Sequence, residues 1–384
     1  MYEQEPATDQ TLKNTAKASP WFPTPAFEQQ DFAFGEAFDI LGRAIDARAF
    51  PSASAAITLR GRLVGVKAVG RFTFDPQSPV VQPETIFDLA SVTKVVATTA
   101  MAMILYERGE LDLEAPVAAI LPEFAQDDPR RDEVTIHMLL AHSSGLPAYE
   151  RLFEQARTRD ELLARALAVP LAEEPGMRVA YSDIGFILLG EALSRIADEP
   201  IDRFCQHEVF GPLGLSQTMF NPPASLREAI PPTVDDRVFR KRVIQGEVHD
   251  ENASVLGGVA GHAGVFSTAE DLATFANVML KGGQPILRPE TVALFTQRES
   301  NPEGTSRALG WDTPSSPSQS GKHFSVHSFG HLGYTGTSMW MDAERQLSVT
   351  LLTNRTWPDN QNQAIKEVRP RFHDAVIEAL PRLG

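Results

Sequence analysis

The pattern of hydrophobic and polar positions divides the first third of the chain into three predicted elements. Residues 35–50 carry apolar side chains at roughly helical spacing, which predicts an amphipathic helix. Two apolar runs then flank Arg60-Gly61-Arg62 and predict two antiparallel strands joined by a tight turn. Residues 91–108 are rich in alanine, methionine and other apolar residues and contain no proline, which predicts a buried helix.

The remaining pattern is helical first and mixed afterwards. Residues 110–220 carry several helical stretches separated by prolines and glycines. A helix is predicted over 270–281, with Ser267 or Thr268 as its N-cap. Residues 327–342 and 346–353 are typical of strands, and 361–380 of a terminal helix. The order predicts an α/β (α+β) fold, in which terminal helices flank an antiparallel sheet and a mostly helical domain is inserted.

This order of elements also predicts the boundaries of the domains. We expect an N-terminal arm at 1–34, a sheet domain formed by 35–108 and 270–384, and an inserted helical domain at 109–269. The active site is then expected in the cleft between the two domains.

Composition narrows the possible partners. The 384 residues include 35 basic and 50 acidic side chains, a formal net charge of −15, so no nucleic-acid partner is expected. One cysteine, Cys205, excludes an internal disulfide and a multi-cysteine metal site, and we expect it to be a small buried residue. No export signal is visible, and the longest apolar run is far shorter than the roughly 20 residues of a membrane span. A cytoplasmic location is expected, and the oligomeric state stays open.

Ser91-x-x-Lys94, at the start of the buried helix, is the first candidate for chemistry. This spacing places the serine and the lysine on one helical face. A buried lysine loses its proton more easily and can then act as a base toward the serine. The alternative is an N-cap serine followed by a surface lysine.

Two further motifs carry candidate side chains. Tyr181-Ser182-Asp183 precedes a helix, where a tyrosine hydroxyl beside a lysine can shuttle protons, although Ser182 or Asp183 could simply cap the helix. The segment 330–338 is a glycine-spaced strand with His331, and glycines allow a substrate backbone to approach closely. A glycine-rich edge strand with a solvated histidine is the alternative.

Taken together, Ser-x-x-Lys, Tyr-Ser-Asp and His-x-Gly, in this order, resemble the serine β-lactamase and penicillin-binding protein superfamily. The chain is most similar to the class C β-lactamase-like branch, which includes DD-peptidases and family VIII-type esterases. The segments FDLASVTKVVATTAMAMILYERGELDLEAPVAAILPEF, HMLLAHSSGLP, YSDIGFILLGEAL and FGHLGYTGTSMWMD carry the resemblance, which covers about residues 35–380. It implies the β-lactamase/transpeptidase-like fold and a serine hydrolase that cleaves esters, amides or β-lactams without a cofactor or metal.

The resemblance also implies residue roles. Ser91 would be the nucleophile that forms an acyl-enzyme, Lys94 would assist its deprotonation, and Tyr181 would act as a general base. The backbone N–H groups of Ser91 and Tyr334 would form the oxyanion hole. Substrate-binding roles fall to Asp183, His331 and Gly333.

Two residues depart from the pattern of the classical β-lactamases. Asp183 stands where many relatives carry asparagine, and His331 stands in the place of a lysine. An acceptor-only carboxylate and a neutral histidine both weaken the handling of a β-lactam carboxylate. The expectation is therefore an esterase or a D-amino-acid peptidase acting on a small-molecule or peptide-like acyl substrate, with an efficient class C-type β-lactamase as the alternative. Four apolar and aromatic residues are expected to line the acyl pocket: Tyr149, Leu152, Phe153 and Trp311.

Three other kinds of protein compete with this interpretation. Metal binding by the 249–251 segment with His262, or by His323, His327 and His331, is disfavoured because a glycine-rich strand would spread the last three too far apart. An α/β-hydrolase would need a Gly-x-Ser-x-Gly pentapeptide, which is missing from the sequence. A non-catalytic binding module would have lost the nucleophile or the base, and neither is lost.

Overall fold

The computed structural model describes residues 21–125 and 128–383. Most of the predicted N-terminal arm therefore lies outside the described residues. Within the part of the chain that is described, no helix is both long and apolar enough to cross a bilayer.

A six-stranded sheet forms the centre of the molecule, in the order β1-β3-β2-β11-β10-β9. Its neighbouring strands run antiparallel, apart from the short parallel pair β1 and β3. Its strands in chain order are β1 (Thr24–Pro25), β2 (Ser52–Leu59), β3 (Arg62–Gly70), β9 (Phe329–Leu332), β10 (Ser338–Asp342) and β11 (Leu347–Thr353). Smaller sheets pair β4 (Phe87–Asp88), β8 (Val265–Ser267) and β5 (Met219–Phe220), and β6 (Val234–Asp236) with β7 (Arg242–Ile244).

Helices cover the central sheet and fill the stretch between β4 and β9. They are α1 (Gln30–Asp46), α2 (Ala100–Glu107), α3 (Val117–Ile120), α4 (Ile136–Leu140), α5 (Arg159–Ala168), α6 (Asp183–Ala197), α7 (Ile201–Cys205), α8 (Gly211–Leu213), α9 (Glu251–Val255), α10 (Ala269–Leu280), α11 (Pro289–Thr296) and α12 (Ile365–Ala379). The predicted mixed fold with an antiparallel sheet and flanking terminal helices is confirmed.

The terminal helices share one hydrophobic core with the central sheet. Phe34, Phe38 and Leu41 of α1 and Phe372 of α12 pack with Trp340 of β10, and all five side chains are buried. Burying side chains of this size contributes roughly 1.5–3 kcal/mol each, so α1 and α12 are fixed against the sheet. The predicted helix at residues 35–50 is therefore shifted, because α1 begins at Gln30, inside the range predicted as an arm, and ends at Asp46.

Two further sequence predictions differ from the structure near the later site. The predicted strand over 327–342 is interrupted by a turn, because Gly333 donates its N–H to Thr337 and Gly336 has a φ of 97°. The predicted helix over 91–108 begins with a 3₁₀ turn at Ala90–Val92 and a π-helical segment at Lys94–Thr99 before α2 starts. Such π-helical turns are frequent at functional sites.

Candidate active site

The backbone around Ser91 is held in an unusual conformation. Ala90, directly before the serine, has a φ of 47°, a left-handed geometry that costs an alanine roughly 1–2 kcal/mol. The buried Asp88 side chain accepts the N–H of Ala90 at 2.8 Å and the N–H of His249 at 2.6 Å, which fixes this turn. Burial raises the pKa of Asp88 to about 6. Asp88 therefore positions the segment that presents Ser91.

Lys94 lies one helical turn after Ser91 and is completely buried. Its Nζ donates to Ser91 Oγ at 3.0 Å, to Asp183 Oδ1 at 2.6 Å and to the carbonyl oxygen of His262 at 3.1 Å. Burial alone lowers the pKa of Lys94, but Asp183 and Tyr181 outweigh it and place the pKa above its ordinary value. These surroundings therefore favour the charged ammonium, in contrast with the expectation from the sequence that burial would free this lysine of its proton.

Tyr181 completes this cluster from the loop that precedes α6. Lys94 Nζ lies 4.9 Å from the centre of its ring, and Lys94 and Ser91 are both close enough to its hydroxyl to influence its pKa. Burial raises the pKa of Tyr181, and the positive charge of Lys94 offsets only part of that effect. The ring packs against His142, with 4.6 Å between ring centroids, so the neutral phenol is held rigidly.

The helix cap next to Tyr181 is compatible with both interpretations of the Tyr181-Ser182-Asp183 motif, as a helix cap and as a place for proton transfer. Ser182 is the N-cap of α6, because its hydroxyl accepts the N–H of Gly185 at 3.0 Å. Its own N–H donates to Nδ1 of His142 at 3.0 Å. Capping by Ser182 thus leaves Tyr181 and Asp183, on either side, free to reach Lys94.

His331 stands on β9, facing the same cluster. Its ring centroid lies 5.9 Å from that of Tyr181, and its Nδ1 is 2.7 Å from the carbonyl oxygen of Leu332. This contact requires the proton on Nδ1 and leaves Nε2 as an acceptor without a partner in the described structure. Burial, together with the charges of Lys94 and Arg307, lowers the pKa of His331 well below its ordinary value. The prediction of a neutral histidine here agrees with this environment.

The turn between β9 and β10 is attached to the segment before Ser91. Thr335 Oγ1 donates to the carbonyl of Asp88 and Thr337 Oγ1 to that of Leu89, both at 2.8 Å. Gly333 is required here, because a Cβ would overlap the Thr337 hydroxyl and the Leu89 carbonyl. This turn thus connects Tyr334 to the segment before Ser91, and both residues of the predicted oxyanion hole line the same cavity.

These groups meet at a cavity of about 680 Å³. Seven of the predicted site residues line it: Ser91, Tyr149, Tyr181, Asp183, His331, Gly333 and Tyr334. Lys94 lies beneath its surface, where it contacts Ser91 and Asp183. Phe153 also lines the cavity, as expected, whereas Leu152 does not.

Trp311 does not line the cavity, contrary to the prediction. Its side chain is fully buried and packs edge-on against Phe329, with 5.2 Å between ring centroids. Its neighbours Arg307 and Asp312 reach the cavity in its place. The hydrophobicity of the indole favours the core, whereas the charged Arg307 and Asp312 face the cavity.

A family model described as Beta-lactamase matches residues 37–369. The chain belongs to the β-lactamase family. The predicted family and fold class are thereby confirmed, and the match includes every residue that lines the cavity.

Individual relatives of this β-lactamase family member carry different names. A Bacillus subtilis (strain 168) protein named "N-acetylmuramyl-L-alanine amidase" is 33% identical over 349 residues, which cover 80% of this chain and 78% of that protein. The solved structure of "EstCE1, a hydrolase with promiscuous acyltransferase activity" has a TM-score of 0.74 at 24% identity and covers 90% of this chain and 99% of its own. The solved structure of a class C β-lactamase from Rhodobacter sphaeroides has a TM-score of 0.70 at 21% identity and covers 90% of this chain and 99% of its own. The two structures share the fold, and the predicted serine hydrolase is borne out by the named hydrolases among the relatives.

Three of the histidines weighed as metal ligands lie beside a single carboxylate in this β-lactamase family member. His323 contacts Glu378 at 2.8 Å, His327 is 3.9 Å from Glu344, and His331 faces the cavity. His262 lies 2.8 Å from Asp250 as a buried pair. Within residues 21–125 and 128–383 no group of three such side chains is arranged to hold a metal ion.

Several residues of the site carried no sequence signal strong enough to single them out. Arg307 lies over the ring of Tyr181, with its guanidinium carbon 5.2 Å from the ring centre. Asp88 and His142 support the serine and tyrosine segments, and Arg355 and Arg369 also reach the cavity. A buried charged residue is unusual, but burial at isolated positions such as Arg369 cannot be read from one sequence.

Proposed function

We propose that this chain hydrolyses the amide or ester bond of small, peptide-like acyl substrates through a covalent acyl-enzyme on Ser91. The observation that carries the proposal is the hydrogen-bonded set of Ser91, Lys94, Tyr181 and Asp183 at the wall of a cavity large enough for a small ligand. A serine is a weak nucleophile unless a neighbouring group accepts its proton. Both candidate acceptors here contact the serine directly.

In the acylation step, Ser91 Oγ attacks the substrate carbonyl and its proton passes to Tyr181 or Lys94. Because Lys94 is charged and Tyr181 neutral at rest, the reactive form contains one proton fewer than the resting form. The transferred proton then goes to the leaving amine or alcohol as its bond to the carbonyl carbon breaks. Water attacks the acyl-enzyme in the second step, and the proton it loses restores the Ser91 hydroxyl.

The negative charge that forms on the carbonyl oxygen needs donors that are already in place. The N–H groups of Ser91 and Tyr334 are suited to this role, because the turn that carries Tyr334 is tied to the segment before Ser91. Losing one such donor typically costs about 10²–10³ in rate. His331 is suited to accept a hydrogen bond from a substrate amide, because its Nε2 has no partner in the described structure.

The walls of the cavity support a polar, peptide-like substrate over a purely aliphatic ester. Charged side chains from several elements line it: Arg151, Asp183, Asp250, Glu251, Arg307, Asp312, Arg355, Lys366 and Arg369. Charges and hydrogen-bonding groups fix the orientation of a polar ligand. The 33% identical relative named as an amidase also supports an amide substrate. Efficient β-lactamase activity is not expected, because the neutral His331 offers no charge at the position where the classical β-lactamases carry a lysine.

Steady-state kinetics with three substrates test this proposal. Hydrolysis of a D-alanyl dipeptide and of a 4-nitrophenyl short-chain ester should be measured beside that of a chromogenic cephalosporin, for the native protein and for Ser91→Ala. We expect dipeptide and ester turnover that is lost with Ser91, and slow cephalosporin turnover. The matched control is Ser194→Ala, a helix serine outside the cavity, whose hydroxyl donates to the Gly190 carbonyl. Activity that survives Ser91→Ala contradicts the proposal, and fast cephalosporin turnover favours a β-lactamase.

A further inference from the structure

The segment weighed as a metal site contains a buried carboxylate–imidazole pair on the wall of the cavity. His262 Nε2 lies 2.8 Å from Asp250 Oδ1, and both residues line the cavity. The imidazole is 1% exposed, and its Nδ1 has no partner in the described structure. Burial alone raises the pKa of Asp250, but His262 outweighs it and holds this pKa well below its ordinary value. Taking a carboxylate out of water is costly, and neither side chain has a part in the acylation step so far.

The Asp250 end of the pair is a fixed point of the main chain. Asp250 is the N-cap of α9, because its Oδ1 accepts the N–H of Ala253 at 2.7 Å. The N–H of the preceding His249 donates to Asp88, the residue that also holds the turn before the nucleophile. Asp250 therefore ties His262 to the support of the nucleophile.

The main chain of His262 reaches the reactive lysine. Its carbonyl oxygen accepts Lys94 Nζ at 3.1 Å. One residue earlier, the carbonyl of Gly261 accepts Thr98 Oγ1 at 2.6 Å. Gly261 also packs tightly against α6, where an added Cβ would lie 2.1 Å from the carbonyl oxygen of Phe186. These contacts hold the backbone on the side of the lysine, and the imidazole fixes the same residue from the side of the cavity.

The geometry around Lys94 shows what a fixed carbonyl achieves. The ammonium form has three N–H groups, and Nζ donates to Ser91 Oγ, to Asp183 Oδ1 and to the His262 carbonyl. After the loss of one proton, the amine keeps two N–H groups and gains a lone pair. When these two groups stay on Asp183 and the His262 carbonyl, the lone pair faces Ser91 Oγ. A displaced carbonyl would let an N–H turn toward the serine, and an amine in that orientation cannot accept the serine proton.

We propose that Asp250 and His262 are positioning residues, which hold the His262 carbonyl so that the lone pair of the Lys94 amine faces Ser91. The proton of the Ser91 hydroxyl then moves to Lys94 Nζ while the bond from Oγ to the substrate carbonyl carbon forms. The same proton goes to the leaving amine or alcohol as its bond to that carbon breaks. The inference rests on the proposed acyl-enzyme function, and within that function it selects Lys94 over Tyr181 as the group that takes the serine proton.

The His262 carbonyl should also affect the protonation of Lys94. It stabilises the ammonium, which has a third N–H to place, more than the amine. Loss of this contact therefore lowers the pKa of Lys94, so that the midpoint of the rise of kcat/KM moves to lower pH. Among the described residues, the other titratable groups that face Lys94 are Tyr181 before α6, Asp183 at its start, His142 after α4 and His331 on β9. None of them belongs to the segment 249–262.

Steady-state kinetics of His262 variants test the proposal. The kcat/KM for a 4-nitrophenyl short-chain ester is measured from neutral to alkaline pH, with the spontaneous hydrolysis subtracted. We expect His262→Ala to lower the alkaline plateau about tenfold to a hundredfold, as for a small misplacement of a reacting group. The midpoint should fall by about one pH unit, the order of a hydrogen bond to a charged group. His262→Gln keeps an N–H donor for Asp250, and it should restore most of the plateau and of the midpoint.

His323→Ala is the matched control, because His323 forms a similar pair with Glu378 at 2.8 Å outside the cavity. It should change neither the plateau nor the midpoint. A natively folded His262→Ala with an unchanged plateau, or with a lowered plateau and an unchanged midpoint, contradicts the proposal.

Two further results have a defined meaning. If His262→Ala shows no native thermal transition, Asp250→Asn, which can still cap α9, takes its place in the same measurement and is judged in the same way. Turnover that survives Ser91→Ala, or no turnover by the native protein, contradicts the proposed function, and the positioning role of the pair falls with it.

Discussion

Two regions of the same cavity handle buried charge in opposite ways. Around the nucleophile, the ammonium of Lys94 lies 2.6 Å from the carboxylate of Asp183, so the buried charge is neutralised within the protein. Elsewhere in the lining of the cavity, Arg355 and Arg369 are also buried and donate to neutral acceptors. The first charge is compensated by a neighbouring carboxylate, whereas the arginines have no carboxylate partner within residues 21–125 and 128–383.

The difference separates a charge pair beside the proposed nucleophile from arginines whose positive charge is not compensated. A fixed Lys94–Asp183 pair holds a proton at a defined place beside Ser91 and Tyr181, which suits a group that takes part in every turnover. Functional sites are places where proteins accept a local cost in stability for such an arrangement.

Replacement of Lys94 should have the largest effect on both activity and stability. Lys94→Met removes the cation that contacts Ser91, and we expect kcat/KM to fall about 10³–10⁴-fold. It also leaves the Asp183 carboxylate without a cation, at a cost of about 3 kcal/mol in the free energy of unfolding. Ester kinetics and urea denaturation measure the two effects. A variant with nearly native turnover would show that Tyr181 alone accepts the serine proton.

The turn between the two regions should be the next most sensitive position. In Gly333→Ala the added Cβ overlaps the Thr337 hydroxyl and the Leu89 carbonyl, so the N–H of Tyr334 is displaced. We expect kcat to fall about 10²-fold, as for the loss of one oxyanion donor. Gly42→Ala is the control, because that glycine lies within α1 with open space around it. The control should raise the free energy of unfolding by about 0.5–1 kcal/mol. An equal change in kcat in the two variants would show that the turn has no special role.

The pH dependence should report the pairing of Lys94 directly. Because Asp183 raises the pKa of Lys94 and the reactive form has one proton fewer, kcat/KM should rise with pH toward the alkaline range. Asp183→Asn removes the carboxylate, so the midpoint of that rise should move down by about one pH unit or more. Asp312→Asn, which alters a cavity carboxylate near Arg307, should leave the midpoint in place. An unchanged midpoint in Asp183→Asn would mean that Lys94 does not control the profile.

The smallest effect is expected from Arg369→Met, in contrast with Lys94→Met. Replacing an unpaired buried cation with an apolar side chain removes a desolvation cost and two hydrogen bonds to neutral acceptors. We therefore expect the free energy of unfolding to change by less than about 1 kcal/mol. Urea denaturation of both methionine variants in parallel checks the comparison. A loss at Arg369 as large as at Lys94 would make Arg369 a structural residue.

The sequence predicts most of the fold because those signals are local, and it predicts the centre of the site through three motifs whose order resembles a known superfamily. Ser91 and Lys94 are spaced for one helical face, and the hairpin around Arg60-Gly61-Arg62 forms as β2, a turn and β3. Thr268, one of the two residues considered as N-cap, caps α10 by accepting the N–H of Asp271. Cys205 is buried, as its small apolar character indicates.

What the sequence does not show depends on contacts between distant segments. The charge of Lys94 is set by Asp183, which is 89 residues away in the chain, and the buried arginines meet the turn after β9 only in the folded protein. The sequence around Trp311 does not distinguish a tryptophan that faces a pocket from one that packs in the core. The sequence does not reveal the turn at Gly333, because the residues around it have the pattern of a continuous strand.

The most direct test of the central claim is the mass of the protein trapped with a slowly hydrolysed acyl donor. The intact protein is mixed with a β-lactam, quenched in acid and analysed by mass spectrometry, followed by peptide mapping. We predict an adduct of the mass of the acyl group on the peptide that contains Ser91, absent in Ser91→Ala and present in Ser194→Ala. An adduct on another residue, or one that persists in Ser91→Ala, would contradict the assignment of Ser91 as the nucleophile.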